Sequence, residues 1–153
     1  MIKVNVFSEE KAWSKRLKNI NLFFEKICKA FPKKYQFPNK KVSFSLLLSN
    51  NRNIKKLNKN FRNKNKPTDI LSFPSIKKIK ISKNVYLGDI IISYNYLDKP
   101  KSQDLNLFKE KIIKIFIHGF LHLLGFNHIK NKDYFKMLRE ENILYKHVKS
   151  KVN

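Results

Sequence analysis

The sequence predicts an α+β protein in which a small mixed β-sheet packs with helices, one of them buried on most of its sides. Three features support this fold class: apolar residues alternate over 2–6 and 42–48 and strand-like residues return at 85–93, apolar residues recur at three- and four-residue steps between those segments, and a long apolar segment covers 104–124. A chain of 153 residues has the size of one ordinary domain, so we expect residues 1–153 to fold as a single domain.

The N-terminal segment predicts a strand followed by a helix. The apolar residues of 2–6 alternate with polar ones, as in a half-buried strand. Ser8 is placed to cap a helix whose first turn carries Glu9 and Glu10. Pro32 closes this helix, and its apolar face comprises Trp13, Leu17, Ile20, Phe24, Ile27 and Phe31.

The middle of the chain predicts further strands around a short helix. Residues 42–48 alternate as a second strand, and residues 51–61 suit a short helix with one apolar face, formed by Ile54, Leu57 and Phe61. A basic loop follows, containing Arg62, Lys64 and Lys66. Apolar residues at 70–73 and strand-like residues at 85–93, interrupted by Gly88, supply the remaining strands.

The C-terminal part predicts two helices. Residues 112–117 are rich in β-branched side chains and resemble a strand, but the length of the whole apolar segment, 104–124, favours a buried helix. Asp133 is placed to cap a last helix, whose inward residues are Met137, Leu138, Ile143 and Leu144.

The net charge of +23, from 34 basic and 11 acidic residues, is the most conspicuous compositional feature. A positive field of this size attracts polyanions, so nucleic acid is the first partner to consider. However, only four of the basic residues are arginine and asparagine is abundant, which is also typical of AT-rich coding. The charge alone therefore does not define a function.

Cysteine usage and the chain's termini bear on its compartment. Cys28 is the only cysteine, so no internal disulfide can form and a reducing compartment is the simple interpretation. The N-terminus lacks the apolar region and cleavage site of a signal peptide, and no apolar run approaches the ~18 residues of a membrane span. We expect a soluble, cytoplasmic protein with no membrane contact.

The chemistry is concentrated in residues 118–128, HGFLHLLGFNH. On a helix, His118 and His122 lie ~6 Å apart along the axis and ~40° apart around it, so both imidazoles face one point. Gly125 can adopt the left-handed conformation that ends a helix, after which the chain can bring His128 to the same point. Three neutral imidazoles with a fourth position left to water are typical of a catalytic zinc site, in which the bound water has a pKa of ~7. The sequence therefore predicts one Zn²⁺ ion on His118, His122 and His128.

The alternative is that these are unrelated histidines on a buried helix. The chain has four histidines, and three of them fall in eleven consecutive positions around a helix end, which favours the metal. The fourth, His147, is expected at the surface. Gly119 in a buried helix costs about 1 kcal/mol relative to Ala, so this position predicts the close approach of substrate or of another backbone segment.

The histidine spacing also matches that of metzincin proteases. Those enzymes use a Glu directly after the first histidine as general base, and here that position is Gly119. The loss of a general base costs about 10²–10⁴-fold in rate, so a peptidase is the weaker interpretation.

Together with two further segments, LNKNFRNKNKPTDILSFP (57–74) and LGDIIIS (87–93), the histidine block resembles the YbeY family of bacterial endoribonucleases. The resemblance runs from residue 40 to about 145. It implies a zincin-like α+β fold and one zinc ion on the three histidines. It also implies cleavage of single-stranded RNA, in maturation of the 3′ end of small-subunit (16S) ribosomal RNA and in ribosome quality control. The family's functional arginine falls on Arg62.

Arg62 also fits this chemistry by its residue type. The planar guanidinium of an arginine matches phosphate, which fits a role in phosphoryl chemistry, although a solvated loop arginine is the alternative. No acidic residue lies between 51 and 66, so the basic residues of this stretch form a candidate RNA-backbone site. We assign Arg62 and His118 as catalytic, and Arg62, Lys59, Lys64 and Lys66 as substrate-binding.

Three polar residues are candidates for supporting roles. Asn127 stands where the family usually has Asp, so any role in orienting a ligand or moving a proton loses its charge. Asp69 and Asp89 lie in the other two family blocks and can either orient a histidine or cap a turn; we favour the turn. Asn127 and Asp89 are kept as candidates for contacts behind the metal ligands.

The sequence thus predicts a zinc endoribonuclease whose partners are ribosomal RNA and the small ribosomal subunit, with ribosomal proteins or assembly GTPases as further candidates. Without an evident general base, the nucleophile is either water or the 2′-hydroxyl of the RNA. Two alternatives remain: a zinc metallopeptidase, and a non-catalytic ribosome-assembly factor with a structural metal.

Overall fold

A four-stranded mixed sheet lies at the centre of the computed structural model, which describes residues 1–75, 81, 83–101 and 103–152. Its strands are β1 (Ile2–Ser8), β2 (Lys41–Ser49), β3 (Ile70–Pro74) and β4 (Asn84–Ser93), in the order β1-β2-β4-β3. Strands β1, β2 and β4 run parallel to one another, and β3 pairs antiparallel with β4 at the edge. The predicted α+β class with a small mixed sheet is confirmed.

The part of the chain that the structure describes also forms a 3₁₀ helix (Lys33–Tyr35) and six α-helices: α1 (Ala12–Arg16), α2 (Ile20–Lys29), α3 (Asn51–Arg62), α4 (Tyr94–Leu97), α5 (Leu105–Leu123) and α6 (Asn131–Val152). The predicted buried helix is α5, which begins at an Asp104 cap whose Oδ2 accepts from the Asn106 N–H. Among the described residues, no helix combines the length and apolar character that crossing a lipid bilayer requires.

The single N-terminal helix predicted up to Pro32 was wrong. Ser8 ends β1 instead of capping a helix, and the helical stretch is divided into α1 and α2. The division falls at residues 17–19, where Leu17 is extended and Asn19 is left-handed with φ of 51°. Asn tolerates this conformation better than most residues, so the chain can change direction here between two short helices.

An aromatic core joins the sheet to α5. The inward residues of β2 are fully buried, and Phe44 stacks against two α5 rings, Phe116 at 5.8 Å and Phe120 at 5.6 Å between centroids. Phe24 of α2 adds a third contact to Phe116 at 5.1 Å. Such pairs contribute about 0.5–1.5 kcal/mol each beyond their burial, so α5 is held firmly on the sheet.

A bulge in β4 decides which of its side chains face α5. Ser43 pairs with Tyr86 and Ser45 with Asp89, so two β4 residues oppose one on β2. Gly88 occupies the bulge with φ of 135°, and a Cβ there would lie 2.2 Å from the Phe73 carbonyl oxygen. Only glycine fits, because the backbone conformation and the close strand both exclude a side chain.

The last helix differs from its prediction in two details. Asp133 lies within the first turn of α6, which begins at Asn131, so it is not the cap. Leu138 is 38% exposed, whereas Met137 and Leu144 are buried as predicted. His147 is exposed, as predicted.

The α6 helix is anchored through a buried carboxylate. Glu140 accepts hydrogen bonds from the Lys34 ammonium at 2.8 Å and from the Tyr35 hydroxyl. Burial by itself raises the pKa of the Glu140 carboxyl, but the two hydrogen bonds and the positive charges of Lys34 and Arg139 together outweigh it, so the pKa lies below its ordinary value. The charged carboxylate is therefore the form that stabilises the fold.

Replacing Glu140 with Gln should lower the free energy of unfolding by about 1.5–3 kcal/mol at neutral pH, because hydrogen bonds to a charged group are lost. A carboxyl whose folded-state pKa is depressed stabilises the protein above its unfolded-state pKa of about 4.3, and this contribution disappears as the pH falls through the folded-state pKa. Urea unfolding at neutral and at acidic pH measures both effects. Glu25→Gln, at an exposed position on α2, is the control; a Glu140→Gln loss that persisted undiminished in acid would contradict the assignment.

Candidate metal centre

The end of α5 builds the turn that the site needs. The Phe126 N–H donates to the Leu121 carbonyl at 3.0 Å and the Gly125 N–H donates to the His122 carbonyl at 3.0 Å. Gly125 has φ of 95°, the left-handed conformation of a Schellman motif. The predicted helix stop is confirmed, and it returns the chain toward the histidines.

Hydrogen bonds at Nδ1 fix the orientations of two imidazoles. The Nδ1 atom of His118 lies 2.7 Å from Oε1 of Glu141, and Nδ1 of His122 lies 2.9 Å from the Phe126 carbonyl oxygen. A carboxylate and a carbonyl only accept, so both rings carry their proton on Nδ1. In the neutral rings, which are the form that binds a metal, the Nε2 atoms are then unprotonated, and they lie 3.1 Å apart.

Two bare nitrogen lone pairs at this separation repel unless a cation lies between them. Ligand nitrogens at 2.0–2.1 Å from one tetrahedral ion are about 3.3 Å apart, close to the observed spacing. His128 completes the group: the candidate ligand atoms of the three histidines all lie within 4.8 Å of one another. The residues present therefore fit a metal ion, and the predicted convergence of the three rings is confirmed.

The electrostatics of His122 support ligation. Burial is the main cause that lowers the pKa of the His122 imidazole below its ordinary value, and the neighbouring His118 lowers it further. The imidazole therefore stays neutral at physiological pH, which is the form that a metal requires.

The three histidines open into a cavity of about 730 Å³. His128 is exposed, so the group is accessible to solvent. Arg62, Lys64, Lys66 and Asn127 line the same cavity, together with residues of β3. The structure therefore brings most of the predicted site residues to one place.

Arg62 is the last residue of α3 instead of part of a loop. The helix ends at Asn63, which is left-handed with φ of 56° and donates its N–H to the Lys59 carbonyl. The Arg62 guanidinium donates to the Ser72 carbonyl at 3.0 Å and lies 5.1 Å above the Phe73 ring. A guanidinium has five N–H donors, so these contacts orient it without exhausting its capacity to bind an anion.

Two predicted residues lie away from the histidine cavity. Lys59 lines a separate groove, beyond the loop that carries Lys64 and Lys66. Asp89 faces the side of the sheet away from α5, where its carboxylate accepts from the Tyr86 hydroxyl, so the predicted contact behind a histidine was wrong. The β4 bulge explains this, because it directs Ile90 instead of Asp89 toward α5.

The remaining polar candidates accept hydrogen bonds from nearby backbone N–H groups. Asn127 lines the cavity, and its Oδ1 lies 3.4 Å from the Ile129 N–H. Asp69 also lines the cavity, and its Oδ1 accepts from the Ile70 N–H at 2.8 Å; its favoured role in a turn stays a prediction.

Gly119 packs against the sheet. A Cβ at this position would lie 2.7 Å from Ile70 Cδ1 and 3.1 Å from Ile90 Cγ2. The close approach is therefore made by side chains of β3 and β4, and a side chain such as the Glu of a metzincin would require Ile70 and Ile90 to move.

Glu141 is a functional candidate that the sequence did not identify. It lies on α6, 23 residues after His118, with a side chain that is 27% exposed. Hydrogen bonds of this kind orient a ligating histidine and raise its basicity. Only the packing of α6 on α5 brings the two residues together, and no motif signals it.

A protein with this mixed sheet and an open three-histidine centre on a buried helix belongs to the class of candidate metal-dependent hydrolases. The comparisons are more specific. The family described as Endoribonuclease YbeY matches residues 5–149. A relative from Pelagibacter ubique (strain HTCC1062), named Endoribonuclease YbeY, is 59% identical over 152 residues, covering 99% of both chains.

More distant relatives agree. A protein of the same name from Sulfurihydrogenibium sp. (strain YO3AOP1) is 39% identical over 98 residues, which cover 63% of each chain. The solution structure of TM1509 from Thermotoga maritima is similar with a TM-score of 0.58 and 25% identity, covering 98% of this chain and 90% of that one. The chain belongs to the YbeY endoribonuclease family.

Replacing Glu141 with Gln should weaken divalent-metal binding by about 10–100-fold, because the charged acceptor behind His118 is lost. Competition with a chromogenic chelator measures the affinity. Glu110→Gln is the matched control, since that carboxylate accepts from the Tyr145 hydroxyl, away from the cluster. An affinity equal to that of the control would show that Glu141 does not support the metal.

Proposed function

We propose that this chain is a zinc-dependent endoribonuclease that cleaves single-stranded RNA. The observation that carries the proposal is the pair of unprotonated Nε2 atoms, 3.1 Å apart, at the wall of a cavity lined by basic residues. The named activity of the relatives supports it. When bound, zinc supplies a Lewis acid for phosphoryl chemistry.

In this proposal Arg62 binds the scissile phosphate. The Ser72 carbonyl and the Phe73 ring hold its guanidinium at the edge of the cavity, so its orientation is set before substrate arrives. A positioned guanidinium stabilises charge that develops on phosphoryl oxygens in the transition state. Lys64 and Lys66 add positive charge to the same cavity.

The identity of the nucleophile depends on whether a residue near the histidines can act as a general base. Glu141 contacts His118 through Nδ1, the side of the ring away from the Nε2 cluster, so it orients a ligand instead of accepting a proton from substrate. Gly119 supplies no carboxylate. The 2′-hydroxyl of the RNA is therefore a candidate nucleophile, and a 2′,3′-cyclic phosphate product would identify it, whereas a 5′-phosphate would identify water.

The peptidase alternative is weakened because the outer edge of β3 offers few unpaired backbone groups. A peptide substrate that adds to a sheet edge needs unpaired backbone groups there. Here the Ser72 carbonyl accepts a hydrogen bond from Arg62, and the Ile70 N–H donates to the Asp69 carboxylate. Pro74 has no N–H to offer. The edge that faces the histidine cavity is thus largely closed to an added strand.

The proposal for the role in the cell is based on membership of the family. We propose that the chain acts in the cytoplasm on the 3′ end of small-subunit ribosomal RNA and in ribosome quality control, in contact with the small subunit. A non-catalytic assembly factor with a structural metal is less consistent with a histidine group that is accessible to solvent, since structural sites are closed.

Removal of the metal should abolish RNA cleavage, and zinc should restore it. His118→Ala should lose both bound zinc and activity, because one of three ligands is removed. Metal analysis and cleavage of a single-stranded ribosomal RNA fragment measure the two properties. His147→Ala, at an exposed histidine outside the cluster, is the control; full cleavage by zinc-free protein would overturn the proposal.

Arg62→Lys should reduce kcat by about 10²-fold or more while zinc stays bound, because Lys cannot reproduce the bidentate fork. Single-turnover cleavage with metal analysis tests this. Unchanged turnover would remove Arg62 from the chemistry. Full complementation of a deletion strain by a zinc-loaded but inactive Arg62 variant would instead support the assembly-factor alternative.

A further inference from the structure

A second cavity lies on the other side of the 63–67 loop from the histidines. It has a volume of about 580 Å³, and α3 forms one wall of it. Four basic side chains line it: Arg52, Lys55, Lys56 and Lys59. We call this cavity the α3 groove.

Helix geometry explains why these side chains share one face. Successive residues advance by about 100°, so positions 52, 55, 56 and 59 fall within an arc of about 100°. All four are exposed, and no acidic residue occurs between 51 and 66. From Arg52 to Arg62 the helix rises about 15 Å, so the α3 groove forms a positive stripe that leads to the arginine at the histidine cavity.

The α3 groove and the histidine cavity share a wall. Pro67 lines both cavities. The loop before it is fixed to α3 by Asn58, which is buried, donates through Nδ2 to the Lys66 carbonyl at 2.9 Å and accepts from the Lys64 N–H at 3.2 Å. The two basic surfaces are therefore held in a fixed relation to each other.

We propose that the α3 groove binds the phosphate backbone of single-stranded RNA on one side of the cleavage point. This rests on the proposed function, because the occupant is the substrate of the histidine site. A strand held there gains electrostatic attraction at several phosphates without any base being read, so the groove contributes affinity and not sequence specificity.

The competing explanation is that these side chains are an ordinary solvated face of a lysine-rich protein. A variant that only lowers the net charge does not separate the two explanations, since long-range attraction also falls. The control must therefore remove the same charge from another surface.

The groove variant carries Arg52→Gln, Lys55→Gln, Lys56→Gln and Lys59→Gln. The control variant replaces four exposed lysines of the α1–α2 region with Gln: Lys15, Lys18, Lys26 and Lys29. Binding of zinc-loaded protein to labelled single-stranded 2′-O-methyl RNA of about 6 and about 16 nucleotides is followed by anisotropy between about 50 and 200 mM salt. Gel analysis afterwards verifies that the RNA stayed intact.

Each phosphate contact contributes about −0.7 to the slope of log affinity against log salt for a single strand. The groove variant should therefore lose up to about 3 from the slope with the longer RNA, and should lose the advantage of the longer RNA over the shorter one. The control variant should keep both. The control variant should also keep the kcat of the wild type at saturating RNA.

Equal slopes for the groove and control variants would overturn the proposal and assign these side chains to a solvated face. The proposed function fails differently, through a wild-type protein that binds RNA but does not cleave it.

Discussion

The site depends on two nitrogen lone pairs that are forced to face each other. Each of the two helical histidines gives its only ring proton to an acceptor on the outer side, a carboxylate in one case and a backbone carbonyl in the other. The inner nitrogens then have no proton to share. A divalent cation removes that repulsion, and the rest of the fold serves to hold the rings in this arrangement.

The sheet supplies the rigidity that this arrangement requires. The aromatic contacts of Phe44 with α5 and the close packing of Gly119 on β3 and β4 fix the helix in rotation and in depth. The Gly88 bulge serves the same end, because it turns Ile90 toward the helix at the place where Gly119 leaves room. Gly119 is thus explained by the contact between helix and sheet, and Gly88 by the bulge that shapes the sheet for that contact.

The histidine cluster could be predicted from the sequence because its geometry is local. A spacing of four on a helix fixes the directions of His118 and His122, and Gly125 signals the turn that returns His128. The alternating strands and the buried α5 helix follow from periodicity in the same way. Family resemblance added Arg62, which spacing alone left undecided.

Other features depend on contacts between distant segments. The pairing of Glu141 with His118 needs α6 to pack on α5, and the bond from Arg62 to Ser72 needs β3 at the sheet edge. Asp89 was misplaced because a one-residue bulge reverses the side on which each later residue of a strand lies. The break at Asn19 was missed because the apolar spacing continues through it.

The contact between Glu141 and His118 joins the metal centre to the C-terminal helix. Glu141 belongs to α6, and its neighbour Glu140 ties the same helix to Lys34 and Tyr35. Binding of an ion and docking of α6 are thermodynamically linked through the hydrogen bond between Glu141 and His118. An ion that strengthens this bond favours the docked position of α6, and docking of α6 raises the affinity for the ion. Occupancy of the centre thereby strengthens the attachment of the last helix to the segment at residues 33–35.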